Sequence, residues 1–356
     1  LIRPDQMPYT NAMGTTYDSG EFESNMDATL ELADWKNYES RKTEALENGR
    51  LSGIAVCQYI ETTAGNPTES AEVIIEDDKV IVRVGTQPMG QGHDTSFMQL
   101  ISEKLGVDFE AVVIETNDSD NLPSGGGSHG SRTSHIGSVA TLNSSDQIIE
   151  KGTLIAGEIL ETSPIDIEYN DGKFRVIGTD RSISLFDIAR EAKISTTLPK
   201  ELTGPLRGTD THTIENWSYP NGCHLCELEI DKETGTVDIV RYCAVDDVGR
   251  VINPMLVAGQ VHGGVAQGVG QALLENTVYD DHSGQLITSS FMDYTMPRAD
   301  DLPSMQIDTN EVLCKTNQLG VKGAGEAGAL VAPPVVISAI TNALKDYNIK
   351  HVDMPA

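Results

Sequence analysis

Apolar and polar residues alternate in short blocks along most of the chain, and these blocks predict both strands and helices. The apolar run at 51–59 predicts a buried strand. Two blocks rich in Val and Ile within 71–84 flank an acidic turn and predict a β-hairpin. Apolar side chains recur every fourth position in 97–105, the spacing of one helix face, and Gly106 follows as a stop signal.

The rest of the chain continues this mixture of strands and helices. The same reasoning predicts a surface helix within 27–50, a strand at 111–116, a helix at 140–160, a hairpin at 165–177, strands at 225–230 and 236–245, a helix at 265–274, and a last helix opened by Pro333 and Pro334. A turn-rich stretch at 199–221 separates the two halves. The prediction is an α+β fold with an N-terminal segment at 1–50, a first lobe at 51–200 and a second lobe at 201–356.

Length and charge narrow the classes of function. A chain of 356 residues is expected to form about two domains. The 54 acidic against 25 basic residues give a net charge of −29, which argues against binding nucleic acid or an anionic membrane surface. No segment reaches the ~20 apolar residues of a membrane span.

The cysteines and the N-terminus bear on the compartment. Five scattered cysteines indicate a reducing, cytoplasmic location. The first residues lack the apolar core of a signal peptide and an initiator Met, so we expect a chain that is either trimmed or begins partway through a longer gene product. Cys223 and Cys226 form a Cys-x-x-Cys pair, but the surrounding run alternates like a strand, which favours a structural role over a metal or redox site.

Three loops concentrate glycine, amide and hydroxyl groups, at 85–93, 124–133 and 320–328. Glycines let backbone N–H groups approach a ligand closely, and the helices predicted after the first two loops favour an anion there. Further donors and cations within the loops are Gln91, Ser131, Thr133, Arg132 and Lys322. None of the loops has the pattern of a Walker A or dinucleotide-binding motif. They predict another phosphate-bearing ligand, although each loop alone is also compatible with an ordinary turn.

Two further features are less specific. Gly90-Gln-Gly-His93 and Gly259-Gln-Val-His262 are similar strings, and both can be interpreted as turns that lead into a helix, or as a chance similarity. Glu326 is the one carboxylate within a glycine-rich loop, and its small neighbours do little to shield it from a ligand. A buried carboxylate with few cationic neighbours has a raised pKa, which suits a general base near neutral pH. A surface glutamate in a flexible loop is the alternative.

These motifs resemble the molybdenum-binding large subunit of the xanthine oxidase family. The matching strings are Gly90-Gln-Gly-His93, Gly130-Ser-Arg-Thr133, Gly259-Gln-Val-His-Gly-Gly264, Gly320-Val-Lys-Gly-Ala-Gly-Glu-Ala-Gly328, Asn221-Gly-Cys-His-Leu-Cys-Glu-Leu-Glu-Ile-Asp231 and Asp5-Gln-Met-Pro-Tyr-Thr10. The Gly-Val-Lys-Gly-x-Gly-Glu string is the most specific of them. The resemblance implies a two-lobed molybdopterin-binding domain of the xanthine oxidase and aldehyde oxidoreductase type.

The resemblance also implies a role for each matching residue. Glu326 would be the catalytic base, and Tyr59 would lie near the substrate unless it packs in the core. The residues implied to bind the cofactor are Gln91, Gly92, His93, Ser128, His129, Gly130, Ser131, Arg132, Thr133, Gln260, Lys322, Gly323, Ala324 and Gly325. The pterin dithiolene would hold the molybdenum, without a metal ligand from the protein.

The implied reaction is hydroxylation of an electron-poor carbon with oxygen from water, on an N-heterocycle such as nicotinate or a purine. Aldehyde, carbon monoxide or aromatic acyl-CoA oxidation are alternatives within the family. A non-catalytic, cofactor-carrying scaffold and an unrelated binding protein for a phosphorylated metabolite are alternatives of other classes. The cofactor is expected in its cytosine dinucleotide form.

The chain departs from the family in length, since the large subunit is about twice as long. No iron–sulfur cysteine pattern and no FAD segment are recognisable. We therefore expect a second molybdopterin subunit, a [2Fe–2S] subunit and an FAD subunit as partners. The large subunit of nicotinate dehydrogenase is split in this way, which makes that enzyme the nearest analogue. In the family, the other half of the large subunit carries further residues of the substrate pocket.

Overall fold

The structure, a computed structural model, describes residues 1–116 and 118–356. The chain folds into two compact units. Unit 1 comprises Leu1–Thr63, Ser218–Thr316 and Gly320–Ala356, and unit 2 comprises Ala64–Trp217 and Asn317–Leu319. The α+β class is confirmed, but the units divide the chain differently from the predicted lobes at 51–200 and 201–356. The reason is that the strand at 50–60 pairs with one at 221–231 rather than with its neighbours in sequence.

Unit 1 contains one larger sheet, a short hairpin and four helices among its described residues. Its strands are β1 (Tyr9–Thr10), β2 (Thr16–Tyr17), β3 (Arg50–Ile60), β11 (Asn221–Asp231), β12 (Val237–Asp247) and β13 (Gln306–Thr309). Its helices are α1 (Phe22–Leu32), α2 (Tyr38–Glu47), α6 (Pro254–Leu273) and α7 (Ala327–Ala343). The larger sheet has the order β13-β12-β11-β3, with β13 parallel to β12 and the other pairs antiparallel.

Helices α6 and α7 cover the core side of this sheet. The core contains aliphatic side chains from β11, β12, α6 and α7, which are almost wholly buried. Gly53 on β3 lets α7 approach closely, because a Cβ at this position would lie 2.1 Å from the carbonyl oxygen of Ala339. The sheet therefore fixes where α7, and the loop that precedes it, can lie.

Unit 2 contains a four-stranded mixed sheet, a three-stranded antiparallel sheet and three helices among its described residues. Its strands are β4 (Thr68–Ile75), β5 (Val80–Val84), β6 (Val112–Glu115), β7 (Ile167–Asn170), β8 (Lys173–Val176), β9 (Ser182–Ser184) and β10 (Leu206–Thr213). Its helices are α3 (His93–Leu105), α4 (Thr133–Ile159) and α5 (Leu185–Ile194). One sheet has the order β10-β4-β5-β6, and the other has the order β7-β8-β9.

Unit 2 confirms the predictions that rested on local pattern. The predicted hairpin at 71–84 is β4–β5, and the predicted hairpin at 165–177 is β7–β8 with left-handed residues Asp171 and Gly172 in its turn. Phe97, Ile101 and Leu105 on α3 are buried as predicted. Burial of each such side chain stabilises the fold by roughly 1.5–3 kcal/mol.

Four predicted boundaries were wrong. Helix α4 begins at Thr133, seven residues before the predicted start at 140, and β10 lies within the stretch predicted as turns. Helix α6 begins at Pro254, so Gly259-Gln-Val-His262 lies within a helix, and its interpretation as a turn repeating Gly90-Gln-Gly-His93 is wrong. Pro333 and Pro334 lie inside α7 rather than opening it. Among the described residues, no helix has the length and apolar content needed to cross a bilayer.

Candidate cofactor site

The first glycine-rich loop leads into α3 through two left-handed residues. Gly90 has φ 106° and Gly92 has φ 74°, a backbone region that favours glycine, and Gly92 caps the N-terminus of α3. The Gln91 side chain accepts a hydrogen bond from the N–H of Met89, which folds the loop on itself. A Cβ at Gly90 would meet nothing within 4 Å, so the loop presents an open face.

The first and second loops meet within unit 2. Ser128 Oγ donates to the carbonyl oxygen of Gln87 at 2.7 Å and accepts from Thr133 Oγ1 at 3.3 Å. The Nδ1 atom of His93 lies 3.4 Å from the same Ser128 oxygen. Burial lowers the pKa of His93, so its imidazole is neutral near pH 7. The structure thus brings together three of the predicted cofactor residues.

These two loops also line a cavity. Its volume is about 440 Å³, within the usual range of ligand pockets. Its lining includes Gly85, Gln87, Ser124, Gly125 and Gly127 from the two loops. Arg83 and the carboxylates of Glu115 and Asp118 lie on the same wall. The glycines leave backbone groups accessible to an occupant of this cavity.

The side chain of Arg132 points into the protein, whereas the sequence predicted that it would bind the cofactor. Its side chain is wholly buried and forms an ion pair with Glu69, with Nη1 2.9 Å from Oε2. The guanidinium also donates to three carbonyl oxygens, those of Gly127 at 2.6 Å, Asn66 at 2.8 Å and Thr68 at 2.8 Å. Arg132 therefore organises the second loop from inside the protein.

Glu69 holds this loop in place, and sequence reasoning missed it. Its carboxylate also accepts from the N–H groups of Ser70 and Gly126. A Cβ at Gly126 would lie 2.5 Å from the guanidinium of Arg132, and a Cβ at Gly85 would lie 2.0 Å from Glu69 Oε1. A side chain at either glycine would therefore collide with the buried ion pair. The sequence feature that could have identified Glu69 is its position, an acidic residue near the start of an apolar strand.

The three residues before Arg132 form a tight turn. Gly130 and Ser131 both have left-handed backbones, with φ 56° and 53°. The carbonyl oxygen of Gly130 accepts from the N–H of Ala64, and a Cβ at Gly130 would lie 2.3 Å from the carbonyl oxygen of Ala64. His129 remains exposed beside this turn. Its ring is therefore available on the surface, whereas Gly130 is fixed by backbone contact.

The third loop lies in unit 1 and is anchored by Lys322. This side chain was predicted to face the cofactor, but it is wholly buried and forms an ion pair with the equally buried Asp247. Gly323, the next residue, has φ 132° and precedes Ala324 and Gly325. Ala324 is half-buried and Gly325 is exposed. Gly323 is itself buried, so within this loop the accessible residues are 324–326.

Glycines bring α6 and α7 into backbone contact. A Cβ at Gly264 would meet Gly328 and Ala329, and a Cβ at Gly268, one turn later, would meet Ala332 and Pro333. These contacts advance in the same direction along both helices, so the helices run parallel. A Cβ at Gly328 would lie 2.4 Å from the carbonyl oxygen of Val261. The start of α7 is therefore held rigidly against α6.

Glu326 and Gln260 lie toward the same end of this helix pair. Glu326 directly precedes α7 and its side chain is exposed, while Gln260 lies one turn before the contact at Gly264 and is half-buried. Cβ atoms at Gly259 and Gly263 on α6 would meet nothing within 4 Å. The absence of side chains there leaves an open surface, a cradle that larger residues would fill.

Tyr59 lies on β3 and uses its hydroxyl within the protein. The hydroxyl donates to Asp246 Oδ1 at 2.7 Å, and the same carboxylate lies 3.1 Å from His224 Nε2. His224 Nδ1 is 3.0 Å from the hydroxyl oxygen of Tyr242. Burial raises the pKa of Tyr59 well above its ordinary value, so the phenol stays protonated.

Cys223 and Cys226 lie on one regular stretch of β11. Residues three apart on a strand point to opposite faces, so these two thiols cannot face a common ligand. Burial raises the pKa of both thiols, that of Cys223 to about 12. Neither cysteine is therefore a ready thiolate.

The fold and its two glycine-lined surfaces define a cofactor-binding domain. Residues 28–303 match the family described as the molybdopterin cofactor-binding domain, and the chain belongs to that family. The resemblance to the xanthine oxidase family is thereby confirmed.

Curated relatives and a solved structure agree with this assignment. The chain is 29% identical over 371 residues to the carbon monoxide dehydrogenase large chain of Hydrogenophaga pseudoflava, covering 100% of this chain and 46% of the relative. It is 31% identical over 367 residues to the nicotine 6-hydroxylase large subunit of Paenarthrobacter nicotinovorans, covering 99% and 45%. The crystal structure of quinoline 2-oxidoreductase from Pseudomonas putida 86 superposes with a TM-score of 0.92 at 30% identity, covering 100% and 47%. The chain thus spans about half the length of the relatives it matches.

Proposed function

We propose that this chain is the catalytic, molybdopterin-binding part of a multi-subunit molybdenum hydroxylase, with Glu326 as the general base. The observation that carries the proposal is the placement of Glu326. It is an exposed carboxylate held between the buried anchor at Lys322 and the rigid contact of Gly328 with α6. The backbone on both sides of Glu326 is thus held, and its carboxylate is accessible for proton transfer.

We assign cofactor-binding roles to donor groups in each unit separately. In unit 2, Gln91, Gly92, His93, Ser128, His129, Ser131 and Thr133 would bind the pterin and its phosphates, within loops that Gly130 and Arg132 hold in place. In unit 1, Gln260 would donate to the pterin, and Gly323, Ala324 and Gly325 would face the metal side. The open space at Gly90, Gly259 and Gly263 supports this assignment. The cytosine dinucleotide form of the cofactor is part of this proposal.

The chain's own residues have three tasks in this proposal. The loops bind and orient the cofactor, and Glu326 accepts a proton on its carboxylate from the oxygen that is transferred to the substrate. Tyr59, whose phenol stays protonated, lines the approach of the substrate. When bound, the molybdenum cofactor supplies the two-electron redox chemistry that hydroxylation of a carbon requires.

We assign an N-heterocycle such as nicotinate or a purine as substrate. The names of two similar proteins, nicotine 6-hydroxylase and quinoline 2-oxidoreductase, support this class. Since the chain spans about half of its relatives, the remaining molybdopterin-binding half, a [2Fe–2S] subunit and an FAD subunit complete the enzyme. The complex is placed in the cytoplasm, where the five free cysteines stay reduced.

The test is anoxic purification of the complex that contains this chain, followed by measurement of molybdenum per copy. We expect about one molybdenum per copy and turnover of nicotinate, purines or related heterocycles. Glu326→Gln, a nearly isosteric change, should keep the metal and lose turnover by at least about 100-fold. A chain with molybdenum but a fully active Glu326→Gln variant would refute the assignment of the base. A chain without molybdenum or pterin would refute the proposal as a whole.

A further inference from the structure

Lys322 and Asp247 form a buried ion pair directly upstream of the proposed base. Both side chains have 0% exposure, and Lys322 Nζ contacts Asp247 Oδ2. A buried charge is costly unless it is paired, so neither residue is placed there for solubility. Lys322 lies four residues before Glu326 in the chain.

Asp247 is held on both of its oxygens. Oδ1 accepts from the N–H of Gly249 at 3.0 Å and from the N–H of Val312 at 3.3 Å. Oδ2 accepts from Asn221 Nδ2 at 3.0 Å in addition to Lys322. A carboxylate with four donors has one available orientation, so Asp247 is a fixed acceptor for the ammonium of Lys322.

A chain of amides extends this support to other elements of unit 1. Asn25 on α1 donates to Asn221 Oδ1 at 2.9 Å, and Asn310 donates to Asn25 Oδ1 at 2.8 Å. The three amides are wholly or partly buried. The position of Asp247 is therefore set by a helix, two strands and a loop, and not by its own strand alone.

The backbone of Lys322 is fixed as well. Its N–H donates to the carbonyl oxygen of Val248 at 2.8 Å, and its carbonyl oxygen accepts from Ser218 Oγ at 2.5 Å. Gly323 then adopts φ 132°, which a residue with a side chain rarely does. The backbone and the side chain of Lys322 are thus both held by contacts inside the protein, and exposed residues of the loop begin after the buried Gly323.

We propose that Lys322 and Asp247 are positioning residues for Glu326. This inference rests on the proposed function. The ion pair fixes the entry to the segment 323–326, and the contact of Gly328 with α6 fixes its exit, so the carboxylate between them has a defined location. Lys322 acts through the loop and does not touch the cofactor.

The test compares Lys322→Met with the wild type in the purified complex. The Met side chain fills much of the same space, and Asp247 can take up a proton once its partner is gone, since burial raises the pKa of Asp247. Displacing a catalytic group by about 1 Å can cost on the order of 100-fold in rate. We expect kcat per bound molybdenum to fall by about 10- to 100-fold, with KM and molybdenum content within twofold of the wild type.

A second readout does not depend on turnover. Amide hydrogen exchange should become faster across 320–328 in Lys322→Met and stay unchanged in α4. Lys104→Met is the matched control, because it removes a lysine from a partly exposed ion pair with Asp146 in unit 2. This control should leave both kcat and exchange at 320–328 unchanged.

The outcomes separate the two proposals. Wild-type kcat per molybdenum in Lys322→Met, beside an inactive Glu326→Gln, overturns the positioning role and leaves the base assignment intact. Loss of molybdenum with unchanged exchange at 320–328 also overturns it, because Lys322 would then contact the cofactor. If Lys322→Met does not fold, Ser218→Ala removes a milder part of the same anchor. It should lower kcat per molybdenum severalfold and speed exchange at 320–328, and a wild-type result there refutes the inference.

Discussion

Replacement of Arg132 by Met should destabilise unit 2 more than any change of a surface ion pair. Arg132 and Glu69 are both wholly buried, so the variant leaves a buried carboxylate without its cation. Breaking such a pair by removing one partner costs about 3–5 kcal/mol. Three carbonyl oxygens also lose their donor, those of Gly127, Asn66 and Thr68. Against a typical domain stability of about 5–15 kcal/mol, this is a large fraction.

The assay is thermal unfolding of the variant beside two controls. For a unit of this size, about 3–5 kcal/mol corresponds to a fall in Tm of roughly 6–20 °C. Arg190→Met breaks an exposed pair with Asp187 and should cost at most about 1 kcal/mol. Arg132→Lys keeps the charge, but a single ammonium cannot reach all the acceptors, so its Tm should lie between those of the wild type and Arg132→Met.

A double variant tests the physical cause. Glu69→Gln with Arg132→Met removes both charges, and it should be less destabilised than the two single changes added together. If Arg132→Met unfolds at the same temperature as Arg190→Met, the buried pair does not organise the second loop. Additive effects of the two single changes would show that the residues are not coupled.

Three other changes have defined outcomes. Gly328→Val should destabilise unit 1 by about 1–3 kcal/mol in urea unfolding and abolish turnover, because its Cβ would lie 2.4 Å from the carbonyl oxygen of Val261. The control is Gly263→Ala, where the added Cβ would meet open space, and it should unfold at the same urea concentration as the wild type or a higher one. Because burial lowers the pKa of His93, the unfolded state binds more protons than the folded state below pH 6.5. The free energy of unfolding should therefore fall as the pH drops through that value, and His93→Gln should weaken this dependence. An unchanged pH profile in the variant would contradict this reasoning. Phe97→Ala should cost about 3–5 kcal/mol by leaving a cavity under α3, and a loss below about 1 kcal/mol would show that the site collapses.

Elements with a clear local pattern were predictable from the sequence. The face of α3 and both hairpins of unit 2 follow from side-chain spacing and turn residues alone. The start of α6 was missed although Asn253 caps the helix and Pro254 opens it, because the glycines at 259, 263 and 264 are poor helix formers and favoured a turn. The pairing of β3 with β11 depends on residues far apart in sequence, which no local pattern records.

The candidate site shows the same division between local and tertiary information. The glycine-rich loops and Glu326 were recognisable from composition and motif. Arg132 and Lys322 were assigned to the ligand because a loop sequence does not show which acceptor a cation will find. Their partners, Glu69 and Asp247, lie 63 and 75 residues away and looked like ordinary acidic residues.

The separation of β3 from β11 has a consequence for the newly made chain. Strand β3 is synthesised about 160 residues before its partner, and translation at ~5–20 residues per second leaves it unpaired for roughly 8–32 s. During this interval the whole of unit 2 except its last three residues leaves the ribosome and can fold. The β3 backbone groups and apolar side chains meanwhile form an open edge that can pair with other nascent chains. Slower translation through unit 2 should therefore increase aggregation and the demand for a chaperone that shields β3.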